Sequence, residues 1–184
     1  MRVTGGSRQD VLLMSLQRYF KDPGKMKILQ NMVNGQGSVS LRLIEFFVTN
    51  YAKKNNVEFH TEDKQLFNIY LNYKQQLKAY SKEFFDPFCR HERSIITDSE
   101  GNTLETTVGQ ANFFKWVINN NILFWTNELR SDIESHMAHA REERDNLDDS
   151  QRSRTGRRRR RGEISQSATR RLNRTQGEFV VSFK

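Results

Sequence analysis

Between Ser150 and Arg174 the chain offers almost nothing to bury. Only Ile164, Ala168 and Leu172 interrupt a polar and basic run that holds five consecutive arginines, Arg157–Arg161. Such a segment cannot offset the entropy lost on ordering it, so it is expected to be disordered when alone. A packed fold must therefore come from the residues before it. Charge divides at the same place. Residues 151–184 carry ten arginines and one lysine against Glu163 and Glu178, a net of +9. The whole chain carries +8, which leaves −1 for residues 1–150. A neutral body with a strongly basic tail predicts an arm that seeks polyanions.

The body has the means to fold. The chain has 184 residues, enough for one domain and a tail, and its 13 phenylalanines supply large apolar side chains. A single cysteine, Cys89, excludes an internal disulfide and fits a reducing compartment. No apolar run reaches the roughly 18 residues of a membrane span. The opening "MRVTGGSRQD" lacks an apolar stretch and does not read as a secretory signal.

Helical periodicity dominates residues 10–149. "DVLLMSLQRYF" (10–20) predicts a short helix capped by Asp10, with Val11, Leu12, Met14, Leu16 and Tyr19 loosely on one face. "DPG" (22–24) ends it, a second short helix follows in "KMKILQNMV", and "NGQG" (34–37) stops that one. In residues 38–56, Leu43, Phe46, Phe47 and Asn50 or Tyr51 form a stripe, with Ser38 or Ser40 as the cap. "VEF" (57–59) reads as a brief extended piece. Residues 62–85 give the clearest helical pattern: Leu66, Tyr70, Tyr73, Leu77, Tyr80 and Phe84 form an aromatic-rich seam, and Lys64, Lys74, Lys78 and Lys82 solvate the rest. Pro87 in "FDPF" is expected to stop this helix.

Residues 93–107 change character. Two β-leaning runs flank "SEGN", and Gly101 can take positive φ, which predicts a small hairpin. Thr107 and Gln110 then have the spacing of a capping box. Phe113, Phe114, Trp116, Val117 and Ile118 are apolar on all sides, which predicts a central helix. "NNN" (119–121) breaks it, and a further helix from Ile122 turns acidic over 142–149. The expected fold class is mainly α with a minor β-hairpin. A flexible N-terminus (1–9) leads into a compact helical domain (10–149). The basic Arg-rich linker (150–176) and a β-prone C-terminal hook (177–184) follow.

The arginines are the strongest functional signal. Arg152, Arg154, Arg157, Arg158, Arg159, Arg160, Arg161, Arg170, Arg171 and Arg174 offer charge and forked donors to phosphate oxygens. Binding through them would be salt-dependent and without base preference. The competing readings are a nuclear-localisation signal and a strap onto acidic protein surfaces. Ser150, Ser153, Thr155, Ser165 and Ser167 flank the patch, and phosphates there would cancel its charge, although serine is ordinary in such tails. Glu142, Glu143, Asp145, Asp148 and Asp149 precede it. They read as a solvated helix end, or as a block that screens the arginines or supports self-association between copies. Phe179, Val180, Val181 and Phe183 form the β-prone ending, a candidate partner-binding strand for a sheet edge of this subunit or a neighbour.

Other constellations are weaker than their structural alternatives. Cys89, His91, Glu92 and Asp86 lie close in sequence. Cys89 and His91 are only a fragment of a metal site, and His60, His136 and His139 complete no zinc spacing, so no metal and no cofactor are expected. Packing of Cys89 beside Phe88 is the simpler account. Tyr70, Tyr73 and Tyr80 could stack bases, but their helical spacing favours a packed seam. No nucleophile elbow, HExxH motif or phosphate-cradling glycine loop occurs, so no catalytic residues are assigned and no enzyme is expected.

Three stretches together carry a resemblance: "SLRLIEFFVTNYAKKNNV" (40–57), "FNIYLNYKQQLKAYSKEFFDPFCRHERS" (67–94) and "TTVGQANFFKWVINNNIL" (106–123). The chain resembles, over about residues 10–183, a family of small uncharacterised proteins of nucleocytoplasmic large DNA viruses. That family has no assigned catalytic residues, so none is carried over. The resemblance implies a viral context: the virion, the host cytoplasm with its viral factory, or the host nucleus. The expected function is a non-enzymatic viral DNA-associated protein that holds nucleic-acid phosphates through the arm. The alternative is a minor capsid or core protein whose arm and hook bind viral structural proteins.

Overall fold

The computed structural model describes residues 8–60 and 65–155, and side chains as far as Arg144. The chain divides into two units, Met1–Ala140 and Arg141–Lys184. The first is mainly helical, with two small antiparallel hairpins rather than the one expected.

Helix α1 spans Arg8–Tyr19, so Asp10 lies within its first turn, where its charge suits the helix dipole, and not at the cap. Its inward face is Leu12, Leu13, Leu16 and Tyr19, continued by Phe20. Val11 and Met14, expected on that face, are exposed, because the i, i+3, i+4 pattern runs through Leu12 and Leu13 instead. The Asp22 carboxylate caps α2 (Pro23–Val33) by accepting from the Gly24 and Lys25 amides. Pro23 occupies the first helical position, where its missing N–H loses no bond. "DPG" therefore starts the second helix as well as ending the first.

Residues 41–55 form one helical path with a local widening. Helix α3 (Leu41–Phe46) is capped by the Ser40 hydroxyl. A π-helical turn (Phe47–Tyr51) leads into α4 (Ala52–Asn55), and Asn56 closes the path in the left-handed region. The Thr49 hydroxyl donates to the Glu45 carbonyl at 2.7 Å, the kind of side-chain intrusion that widens a helical ladder. Leu43, Ile44, Phe47, Val48, Tyr51 and Ala52 are all buried.

The segment with the clearest helical periodicity is a helix over only half its expected length. Strand β1 (Glu58–His60) pairs antiparallel with β2 (Leu66–Asn68), and α5 runs from Ile69 to Tyr80. Asn68 sets the boundary. Its side chain accepts from the Leu71 amide as N-cap and donates to Asn56 and Glu58 at 2.9 Å, tying the strand to the preceding turn. Leu66 is thus a strand residue and 62% exposed. At the other end Ser81, with φ of 63°, stops the helix six residues before Pro87. The inner part of the seam is as expected: Tyr73 packs on Phe85 and Trp116, and Tyr80 on Phe85.

The second hairpin pairs β3 (Arg93–Thr97) with β4 (Thr103–Thr107) in the register Arg93 to Thr107. Ile96, Leu104 and Thr106 turn inward. Gly101 takes φ of 84°, and Asp98 accepts from the Glu100 and Asn102 amides and the Asn102 side chain. Helix α6 (Val108–Asn119) leaves β4 directly and is buried along most of its length. It packs against α1, α2, β4 and α7 (Ile122–Glu128). Asn121, at φ of 51°, makes the expected break between α6 and α7.

Helix α8 runs Arg130–Thr155. Its first part belongs to the first unit, where Ile133 is buried and His136 meets Tyr51 edge-on. The second unit is described only as the continuation of α8 to Thr155. The expected arm beyond that point and the hook at 177–184 lie outside the described residues, as does most of the expected flexible N-terminus. Among the described residues no helix is long and apolar enough to cross a membrane.

Candidate functional site

The densest buried polar arrangement joins the loop at residues 83–90 to the start of α6. Thr107 caps α6, its hydroxyl accepting from the Gln110 amide at 3.1 Å. The Gln110 side chain does not reach back to complete the expected capping box. Its amide donates to the Pro87 carbonyl at 2.8 Å, and its oxygen accepts from the Thr106 hydroxyl at 2.9 Å. Asn112 donates to the Phe84 carbonyl at 2.9 Å, and the Asp86 amide donates to the Gly109 carbonyl at 3.2 Å. A Cβ on Gly109 would stand 2.6 Å from the Glu83 carbonyl oxygen, so only glycine lets the loop approach this closely. The loop carbonyls are satisfied by α6 in place of water.

A cluster of charged groups stands on this loop. The Arg90 guanidinium grips Asp86 with both arms, at 2.9 and 2.7 Å, and lies 5.2 Å over the Phe88 ring. The Asp86 side chain is 6% exposed and that of Arg90 60%. Glu45 and Tyr73 feel both charges. Burial pushes the Glu45 carboxyl above its ordinary value, against the opposing pull of Thr49, Arg42 and Arg90. Burial first, then the Glu45 and Asp86 carboxylates, push Tyr73 up to about 12, so it stays a neutral hydroxyl at physiological pH. Both Asp86 oxygens are committed to Arg90. The arrangement can hold the loop in place and keep a proton on Glu45 more readily than usual.

The sequence-selected residues separate in space. Asp86 turns to Arg90, and the Cys89 sulfur accepts from Arg93 at 2.9 Å. Burial raises the Cys89 thiol, with Arg93 pulling the other way, so it is not an activated nucleophile. Glu92 meets Gln9, His91 is exposed, and His136 meets the Tyr51 ring edge-on. Among the described residues no three His, Cys, Asp or Glu side chains gather as metal ligands. Arg152 and Arg154 lie on the backbone of α8. Arg157, Arg158, Arg159, Arg160, Arg161, Arg170, Arg171 and Arg174 lie outside the described residues, as do Phe179, Val180, Val181 and Phe183.

Sequence reasoning missed the loop clamp. Its signal was present in two places. Asp86 and Arg90 have the i, i+4 spacing of an ion pair, and Gln110 and Asn112 are polar residues in the buried first half of α6. A buried amide needs partners, and the exposed carbonyls of a proline-containing loop are natural ones.

The model of a family described as a family of unknown function, DUF7197, matches residues 4–173. Uncharacterized protein L507 of Acanthamoeba polyphaga mimivirus is 38% identical over 100 residues, half of this chain. The chain spans 39% of that relative's length. No solved structure matches.

Proposed function

Because the chain belongs to the DUF7197 family, whose function is unknown, we propose a role from its own charge distribution: a non-enzymatic protein of a large DNA virus that holds nucleic-acid phosphates through its Arg-rich arm. The observation that carries this reading is the segregation of charge, +9 over residues 151–184 against −1 over residues 1–150. Since residues 1–150 are near neutral overall, the excess charge that attracts polyanions at long range lies in the arm. The ten arginines would neutralise phosphates and release counterions, which makes binding steeply salt-dependent. The mimivirus relative supports a setting in which a large genome is the abundant polyanion.

A second reading rests on the ending "EFVVSF" (178–183), which a DNA arm does not need. There the arm and hook would bind neighbouring virion proteins, with the terminal strand added to a sheet edge. One experiment separates the two. Full-length protein is titrated against random duplex DNA at several salt concentrations, beside a variant with Arg157–Arg161 replaced by glutamine. The DNA reading expects a steep salt slope that the variant largely loses. Equal weak binding by both proteins sinks it. Protection of residues 178–183 on incubation with virion proteins would favour the second reading.

A further inference from the structure

The outward face of α5 carries charge of one sign. Leu71, Lys74, Gln75 and Lys78 are exposed opposite the buried Ile69 and the packed Tyr73 and Leu77. The helix, "IYLNYKQQLKAY", contains no acidic residue. Lys82 and Glu83 are both exposed in the turn beyond it, so the single-signed stretch ends at Lys78. Two further cations stand at its flanks. The Arg8 guanidinium donates to the Ala79 carbonyl in the last turn, and Lys53, on the neighbouring α4, lies 5.7 Å over the Tyr70 ring. An ordinary solvated face mixes both signs. Three bases elsewhere in this unit stand in ion pairs: Lys25 with Asp22, Arg90 with Asp86, Arg130 with Glu134. Among the described residues no such ion pair holds Lys53, Lys74, Lys78 or Lys82.

We infer that this lysine face is a second phosphate-binding surface, on the folded unit, for the backbone of duplex DNA. The inference rests on nucleic acid being the protein's partner, and deepens that reading by giving the duplex a rigid seat. Lys74 and Lys78 are one helical turn apart, roughly 6 Å along the axis, so both can reach phosphates of one strand. Lysine is a compact point charge that suits phosphate and is depleted at protein–protein interfaces. That combination favours nucleic acid over an acidic protein surface. The contact would read no sequence, since phosphate contacts position a protein without reporting base identity.

The test measures binding of the full-length chain to random-sequence duplex DNA by fluorescence anisotropy from low to moderate salt. Lys74→Gln with Lys78→Gln removes both charges and keeps good helix formers. The salt slope is expected to fall by about 2, since each phosphate contact contributes about 0.9. Between 50 and 200 mM salt, that is roughly twelvefold less loss of affinity than in the wild type. Lys74→Arg with Lys78→Arg should keep the slope. Lys21→Gln with Lys27→Gln, an exposed pair on another part of the unit, should leave it unchanged. An unaltered slope in the α5 pair, or an equal fall in both glutamine pairs, overturns the inference. Neutralising Arg157–Arg161 in parallel judges the arm on its own. If that variant loses slope while the α5 pair does not, the arm reading stands and this one fails. If the reverse holds, the seat stands without the arm, and salt-independent binding by the wild type overturns both.

Discussion

In the β3–β4 turn a single carboxylate, Asp98, accepts from Glu100 and Asn102, all within four residues. In the loop at 83–90 the bonds arrive from far along the chain, since Gln110 reaches Pro87 across 23 residues and Asn112 reaches Phe84 across 28. Asp98 itself is nearly covered, but its donors Glu100 and Asn102 are exposed, so water can replace a lost partner from their side. The loop clamp is built from groups that folding has taken out of water. Removing one partner leaves the other unsatisfied, and the penalty is the desolvation of that group and not merely one bond. The two regions also differ in assembly. The turn can form with the hairpin alone, while the clamp exists only once α6 has docked.

The sharpest way to break this contrast is at Gly109. Its added Cβ would meet backbone, so no rotamer change relieves the overlap. Gly109→Ala is expected to lift the loop from α6 and destabilise the protein by about 3 kcal/mol in urea unfolding. A loss below about 1 kcal/mol would mean the loop yields freely, and the distinction between clamp and turn would collapse.

Arg90→Ala comes next. It strands the nearly buried Asp86 carboxylate without its partner. Breaking a fully buried pair costs about 3–5 kcal/mol, and the half-open position of Arg90 admits water that reduces this to about 2 kcal/mol. Asp86→Asn should cost less than Arg90→Ala, because the guanidinium left behind is largely solvated. Asp98→Ala should lower the melting temperature less than either Gly109→Ala or Arg90→Ala. A turn variant that melts below the Arg90 variant would invert the ranking of the two regions.

The same contrast explains what the sequence made legible. Local chemistry was readable. Gly101 and the β-leaning runs around it announced the β3–β4 hairpin, Ser38 and Ser40 announced a cap that Ser40 makes, and the apolar length of 113–118 announced a central helix. Interactions between distant segments were not. Leu66 sits four residues before Tyr70 and so extends a helical pattern, yet Asn68 ends the strand and starts the helix through bonds to Asn56 and Glu58, twelve and ten residues back. No periodicity reports that. Gln110 looked like half of a capping box because Thr107 lies three residues before it, and its true partners, Thr106 and Pro87, belong to β4 and the loop. The arginines remain legible as charge alone. The lysine face of α5 could be read as a row, but its lack of balancing carboxylates needed the neighbouring elements in place.

The smallest effect is also the most diagnostic, because the two regions should answer pH with opposite signs. Hydrogen bonds from the Asn102 side chain, and then from nearby backbone amides, hold the Asp98 carboxyl below its ordinary value. Its contribution to stability is present above the unfolded value, about 3.9, and is lost as pH falls through the depressed folded value. Glu45 is shifted the other way by burial. Its contribution is complete below the unfolded value, about 4.3, and is lost as pH rises through the raised folded value, when a charge must form in a half-buried site. Asp98→Asn should therefore lose ground to wild type as pH rises from 2 to 5. Glu45→Gln, which can still accept from Thr49, should gain ground on wild type as pH rises from 4 to 7. Melting temperatures of the three proteins across pH 2–7 decide the matter. Two variants whose differences from wild type run in the same direction would show that burial does not govern Glu45.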